Sequence, residues 1–259
     1  MKNIIGIIPA RMSSSRFPGK PMKKIYSVPM IGHCYLRSKY SKKLTDLYVA
    51  TPDKEIFEYI QSIGGKAIMT SHKHEMCNDR VFEAVNKLEK IQKIKYDIIV
   101  NIQGDLPLVF PTMIDSLVTP IINYKKITNT TMVEKILTYK DFKDPNRVKV
   151  VLNSKKQALL FTREGVPSDF KRNFKDFDSY KHVAIRAYDR KTFEQLKKLK
   201  ITPIEKTEGI DDLRLLENGI QIDVVLTKKI TDTVDNKKDL NNVKKIMKDD
   251  ELKKKYSNY

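Results

Sequence analysis

Short apolar runs rich in β-branched residues alternate along this chain with longer segments whose apolar positions recur every three or four residues. The runs fall at residues 4–8, 47–50, 66–69, 97–102, 148–152, 158–161, 182–188 and 222–226, each bounded by polar or turn-forming residues, and predict strands. Helical spacing covers residues 53–63, which open on an acidic residue able to cap a helix and close on Gly64-Gly65. It recurs over 78–91, where Val81, Val85 and Leu88 share a face, and over 111–124, which begin on a proline suited to a first helical turn. Strand–helix alternation through about the first 110 residues predicts a parallel sheet with helices on both faces. Residues 127–190 carry successive strands and few helices, as expected of an antiparallel lobe inserted into one domain spanning 1–259. A helix over 204–217, a strand, and a polar helix from about Asn236 follow, and residues 253–259 read as a frayed basic tail.

Composition narrows the function classes. The 259 residues are 40% hydrophobic and 32% charged, which suits a folded protein and excludes wholesale disorder. No apolar stretch approaches the ~20 residues of a membrane span, and the first residues lead into a strand with no signal-peptide pattern, so a cytoplasmic protein with no membrane partner is expected. Cys34 and Cys77 stand far apart and read as reduced thiols. The net charge of +18 raises nucleic-acid binding as an alternative, on a degenerate enzyme fold. The excess is mostly lysine spread over every segment, with no recognition helix, zinc pattern or aromatic RNA-binding signature, so an anionic small molecule and no nucleic acid is the expected partner.

Ligands of open α/β sheets sit beyond the carboxyl ends of the strands, and polar motifs fall at such ends here. After the first run come Arg11, three serines, Arg16, Gly19 and Lys20, in a loop whose path Pro18 and Pro21 fix. Amides of Ser13 to Ser15 and Gly19, with Arg11 and Lys20, suit a triphosphate, although neither GxxxxGK[ST] nor GxGxxG is present. Asp105 ends the run 97–102 behind Gly104, which would permit a sharp turn, and Asp235 follows the last strand. Together they could hold Mg²⁺ against a triphosphate, as nucleotidyl transfer needs; a turn role for Asp105 and a helix cap for Asp235 are the alternatives, with Asn236 a competing cap. His72, His74 and Cys77 lack a fourth zinc ligand and a common zinc spacing.

The stretches PARMSSSRFPGKPM, VNIQGDLP, DPNRVKVV, ALLFTREGVP, KHVAIRAYDR and VDNKKDL resemble, in order and spacing, the sugar-acid cytidylyltransferases, and most closely the branch acting on 3-deoxy-manno-octulosonate (Kdo). The resemblance covers nearly the whole chain. It implies an α/β fold with a mostly parallel Rossmann-like sheet of the nucleotide-diphosphosugar-transferase type, and a small antiparallel lobe through which subunits form a homodimer. It implies transfer of CMP from CTP to a sugar acid, with Mg²⁺ on Asp105 and Asp235 and catalysis by Arg11, Lys20 and Asp105. Pro9, Ala10, Arg11, Ser13, Ser15, Arg16 and Lys20 would bind the nucleotide, with His74, Cys77, Asn78 and Arg80 at the base. Gln103, Arg163, His182, Tyr188, Glu205, Glu208 and Asp211 would bind or shape the sugar acid; on residues alone His182 reads as a core histidine. The chain departs from the pattern at Met76-Cys77-Asn78 (for Ser-Gly-Thr), Arg186 (for tyrosine), Asp211-Asp212 (for Glu-Gln) and Asn236 (for threonine). The departures near the sugar residues admit an amino-substituted Kdo or a nine-carbon sialic-type acid as acceptor. A sugar phosphate or an alcohol is a more distant alternative.

Overall fold

The computed structural model describes residues 2–13, 17–74, 76–256 and 258–259. Two compact units divide the chain, one made of Met1–Val118 with Ile230–Tyr259 and the other of Thr119–Lys229. The first begins with β1 (Ile4–Pro9), β2 (Lys24–Ile25), β3 (Val28–Pro29), α1 (Met30–Ser38), β4 (Asp46–Thr51), α2 (Lys54–Ser62), β5 (Ala67–Met69), α3 (Cys77–Gln92) and β6 (Ile98–Ile102). Helix α4 (Pro111–Asn123) carries the chain into the second unit. There follow β7 (Asn129–Lys135), α5 (Tyr139–Lys143), β8 (Lys149–Leu152), β9 (Ala158–Thr162), β10 (Tyr180–Asp189), α6 (Arg190–Lys198), α7 (Pro203–Glu208), α8 (Asp212–Glu217) and β11 (Asp223–Thr227). The chain then returns to the first unit with α9 (Lys237–Ile246) and α10 (Glu251–Lys254). No helix among the described residues is long and apolar enough to cross a membrane.

In the first unit the strands run β6-β1-β4-β5, all parallel. Every residue of β1 and β6 is buried, as expected of strands covered on both faces. The carboxyl ends of β1 and β6 are adjacent, which brings the loop after Pro9 close to Gly104. Gly104 serves that approach and also lies in the turn expected of it, which the Leu106 amide closes on the Gln103 carbonyl at 3.3 Å. Its φ is not positive, but an added Cβ would lie 2.7 Å from the Pro9 carbonyl oxygen.

The second unit contains the antiparallel lobe: β10 pairs with β7 and β8, and β8 with β9, while β11 runs parallel to β7. The helix expected over 204–217 is two helices, because Gly209 adopts φ +65 and ends α7.

Residues 253–256 are not part of a frayed tail, as their charge had suggested. Tyr256 is 2% exposed and its hydroxyl lies 2.9 Å from His33 Nδ1. His33 Nε2 meets the Ile25 carbonyl at 2.9 Å; a carbonyl only accepts, so Nε2 carries the proton and Nδ1 accepts from Tyr256. Burial pushes the His33 pKa down to about 4, which keeps that neutral tautomer. Beside it the fully buried Arg37 donates to the Val109 carbonyl (2.8 Å), to Asp250 (2.7 Å) and to the Tyr256 oxygen (3.4 Å). Val234, Leu240, Val243 and Met247 complete the attachment by packing on Ile25, Met30 and Leu108.

Candidate active site

The basic loop leaves β1 at Pro9, whose backbone is buried, and Ala10 follows with its amide on the Ala50 carbonyl. The Met12 amide donates to Asp53 Oδ2 at 2.8 Å. Asp53 therefore anchors the loop and does not cap α2 with its side chain, as its place before the helix had suggested. At the far side Gly19, with φ +67, returns its amide to the Met12 carbonyl, and Lys20 starts a short 3-10 turn. Ser13 lies between these anchors; Ser15 and Arg16, expected to touch the nucleotide, lie outside the described residues.

Lys20 does not project alone into this loop. Its Nζ lies 2.8 Å from Asp105 Oδ2 and 3.2 Å from Asp235 Oδ1. Burial alone would lower the Lys20 pKa, but the two carboxylates outweigh it and hold the ammonium above its ordinary value. A main-chain bond from the Val234 amide to the Asp105 carbonyl (3.0 Å) ties the two aspartate-bearing segments together. The cap of α9 is Asn236, whose Oδ1 accepts from the amides of Lys238 and Asp239, while the carboxylate of Asp235 accepts from Lys20. Two hard carboxylates against one cation fit Mg²⁺, which takes one or two protein carboxylates and fills its remaining positions from phosphate oxygens and water.

The expected base-reading residues gather around the first turn of α3. Arg80, 3% exposed, donates to Thr70 Oγ1 (2.7 Å) and to the carbonyls of Ser71 and His74 (3.1 Å each). Arg11 reaches the same His74 carbonyl at 3.4 Å. Burial and the neighbouring Arg11 both lower the Arg80 pKa. The His74 ring is paired with Glu83, which the sequence analysis did not single out. Burial would raise the Glu83 pKa, but the Lys87 ammonium, the Ser71 amide and the His74 ring push it down to about 2. Cys77 Sγ meets Gln103 Oε1 at 3.4 Å, Gln103 donates to Asn101 (3.3 Å), and Asn101 donates to Asn78 (3.0 Å). Gln103, assigned by resemblance to the sugar, thus belongs to one polar chain with Cys77 and Asn78.

The other expected sugar residues lie in the second unit and are largely engaged with protein partners. Arg163 Nε donates to the Glu208 carbonyl at 2.8 Å, while the Glu208 carboxylate accepts from Thr162 Oγ1 (2.8 Å) and the Arg163 amide (3.0 Å). Glu205 is 2% exposed, pairs with Arg214 and closes the capping box of α7 on Thr202. His182 Nε2 lies 2.7 Å from Thr131 Oγ1 with its ring edge-on to Phe161; burial and then Arg186 drive its pKa well below 6.5, so it is neutral. Tyr188 is 2% exposed, and burial raises its hydroxyl pKa. Arg186 pairs with Asp212 (2.5 Å) and Asp211 (3.4 Å), so the two departures from the family pattern in this region are one ion cluster. Burial pushes the Asp212 pKa up to about 6, against the pull of Arg186.

The chain matches the family described as cytidylyltransferase over residues 5–230. The 3-deoxy-manno-octulosonate cytidylyltransferase of Thermodesulfovibrio yellowstonii is 39% identical over 249 residues, covering 94% of this chain and 97% of that protein. The 8-amino-3,8-dideoxy-manno-octulosonate cytidylyltransferase of Shewanella pealeana is 38% identical over 226 residues, covering 87% and 90%. A solved structure of CMP:2-keto-3-deoxy-manno-octonic acid synthetase complexed with CTP superposes with a TM-score of 0.85 at 33% identity, covering 95% of this chain and 99% of that one.

Proposed function

The chain belongs to the cytidylyltransferase family, and from that premise we propose that it transfers CMP from CTP to the anomeric hydroxyl of Kdo, releasing pyrophosphate. The observation that carries this reading is the ammonium of Lys20 set between Asp105 and Asp235, beside a basic loop at the end of β1. A 3-deoxy-2-ulosonic acid presents its hydroxyl to the α-phosphorus in line, so the protein's task is to position two anions and neutralise charge as pyrophosphate leaves. Arg11 and Lys20 supply positive charge, on a loop anchored by the Met12 amide on Asp53 and the Gly19 amide on the Met12 carbonyl. Mg²⁺, when bound on Asp105 and Asp235, supplies further neutralisation of the triphosphate. The proposed enzyme acts as a cytoplasmic homodimer paired through the antiparallel lobe, in bacterial surface-glycan synthesis.

Pyrophosphate release from purified protein with Mg²⁺, Kdo and each of CTP, UTP, GTP and ATP tests the reading. Turnover with CTP alone supports it, and silence with all four in folded protein removes Kdo as acceptor. A second acceptor, 8-amino-3,8-dideoxy-manno-octulosonate, is favoured by one feature, the Arg186–Asp211–Asp212 cluster in place of the family's tyrosine and Glu-Gln. Running both acids in the same assay separates them by kcat/KM.

A further inference from the structure

We propose that Lys20 is a resident counter-cation of the metal site, which is handed over to the triphosphate on binding, so that the protein takes the divalent ion with its nucleotide and not before it. This rests on the reading above that Asp105 and Asp235 hold the ion. The Lys20 side chain is 13% exposed and its ammonium donates to both carboxylates, at 2.8 and 3.2 Å. A divalent ion needs lone pairs of those same carboxylates. An ion arriving alone must therefore turn out an ammonium that would keep its charge but lose both acceptors, in a place largely closed to water. A triphosphate removes that penalty, because its oxygens accept from Lys20 as the carboxylates are surrendered, and no charge is left unmatched.

The local backbone suits such a transfer. Lys20 is pinned through its own amide, which donates to the Phe17 carbonyl at 3.1 Å, and through its carbonyl, which accepts from the Lys23 amide at 3.1 Å. Only the four-carbon side chain has to move, and lysine, unlike arginine, carries a compact charge on a freely rotating stem.

The test is Mn²⁺ binding to the full-length protein, read as loss of the free-ion electron paramagnetic resonance signal, without nucleotide and with CTP but no sugar acid. Wild type is compared with Lys20→Gln and Lys20→Met. Without CTP both variants bind Mn²⁺ more tightly by at least about tenfold, the effect of deleting one unit charge ~3 Å from the ligands even at the dielectric of water. With CTP that gain disappears, since the lysine then serves the triphosphate. Mn²⁺ affinity without CTP that is equal to or weaker than wild type in both variants, in protein of normal melting temperature, overturns the proposal. So does tightening that persists when Asp105→Asn is added to Lys20→Gln, because the ion then sits elsewhere. The acceptor reading fails separately: no pyrophosphate release with Kdo, alongside the expected Mn²⁺ pattern, supports the lysine exchange and discards Kdo.

Discussion

Asp105 and Asp235 meet at one ammonium, and the proposed reaction calls on both carboxylates. Replacing either with asparagine keeps size and removes charge, and is expected to lower kcat by about 10²–10³-fold with CTP and Kdo, by analogy with loss of one electrostatic group from a reacting centre. Glu83 acts at a distance from the chemistry. Its folded pKa of about 2 lies below the ordinary 4.5, so its stabilisation is present above pH 4.5 and is lost as the pH falls towards 2. Glu83→Gln is therefore expected to destabilise by about 1 kcal/mol at pH 7 after solvent screening, in urea unfolding, with the difference from wild type vanishing by pH 2. Lys20 and Asp105 were legible in the sequence because polar residues at strand ends follow from chain order. Asp53 and Glu83 were not, since their partners Met12 and His74 are joined to them only by folding.

Among the elements, strands with uninterrupted apolar runs announced themselves, β1 and β6 above all. Strand β7 did not, because its buried Asn129, Thr130 and Thr131 read as polar until they are seen to be enclosed. Helix α1 escaped for the opposite reason: every one of its residues is buried, so it has no polar face to set a period. Its Arg37 is enclosed because Asp250 and Tyr256 arrive from the other end of the chain. Asp250→Ala leaves that guanidinium buried without its carboxylate and is expected to cost about 3–5 kcal/mol in denaturant unfolding. Gly104→Ala presses a methyl group towards the Pro9 carbonyl; an expected loss of about 1–3 kcal/mol comes with a fall in kcat, because Asp105 is the next residue. A variant with unchanged kcat would show that the loop after β6 relaxes without moving the carboxylate.

At the level of the molecule, the order of elements gave the parallel sheet of the first unit and the antiparallel lobe of the second. How the lobe's surface is used was not legible, since exposure is a property of the folded chain. Leu137 (77% exposed), Leu159 (57%) and Phe170 (89%) stand on the outside of the second unit. For the proposed homodimer, sedimentation equilibrium is expected to give twice the 30.1 kDa chain mass, falling to that of one chain in Leu159→Glu/Phe170→Glu. The bond between Lys20 and Asp235 spans 215 residues of sequence, and the segment that seats Asp235 is fastened by Asp250 and Tyr256. A ribosome-bound chain that has not yet released these residues owns the basic loop and Asp105 but only one of the two carboxylates. On the proposed reading, a product terminated upstream of Asp235 is expected to lack CTP turnover, because it loses that carboxylate together with Leu240, Val243 and Met247, which pack on Ile25, Met30 and Leu108.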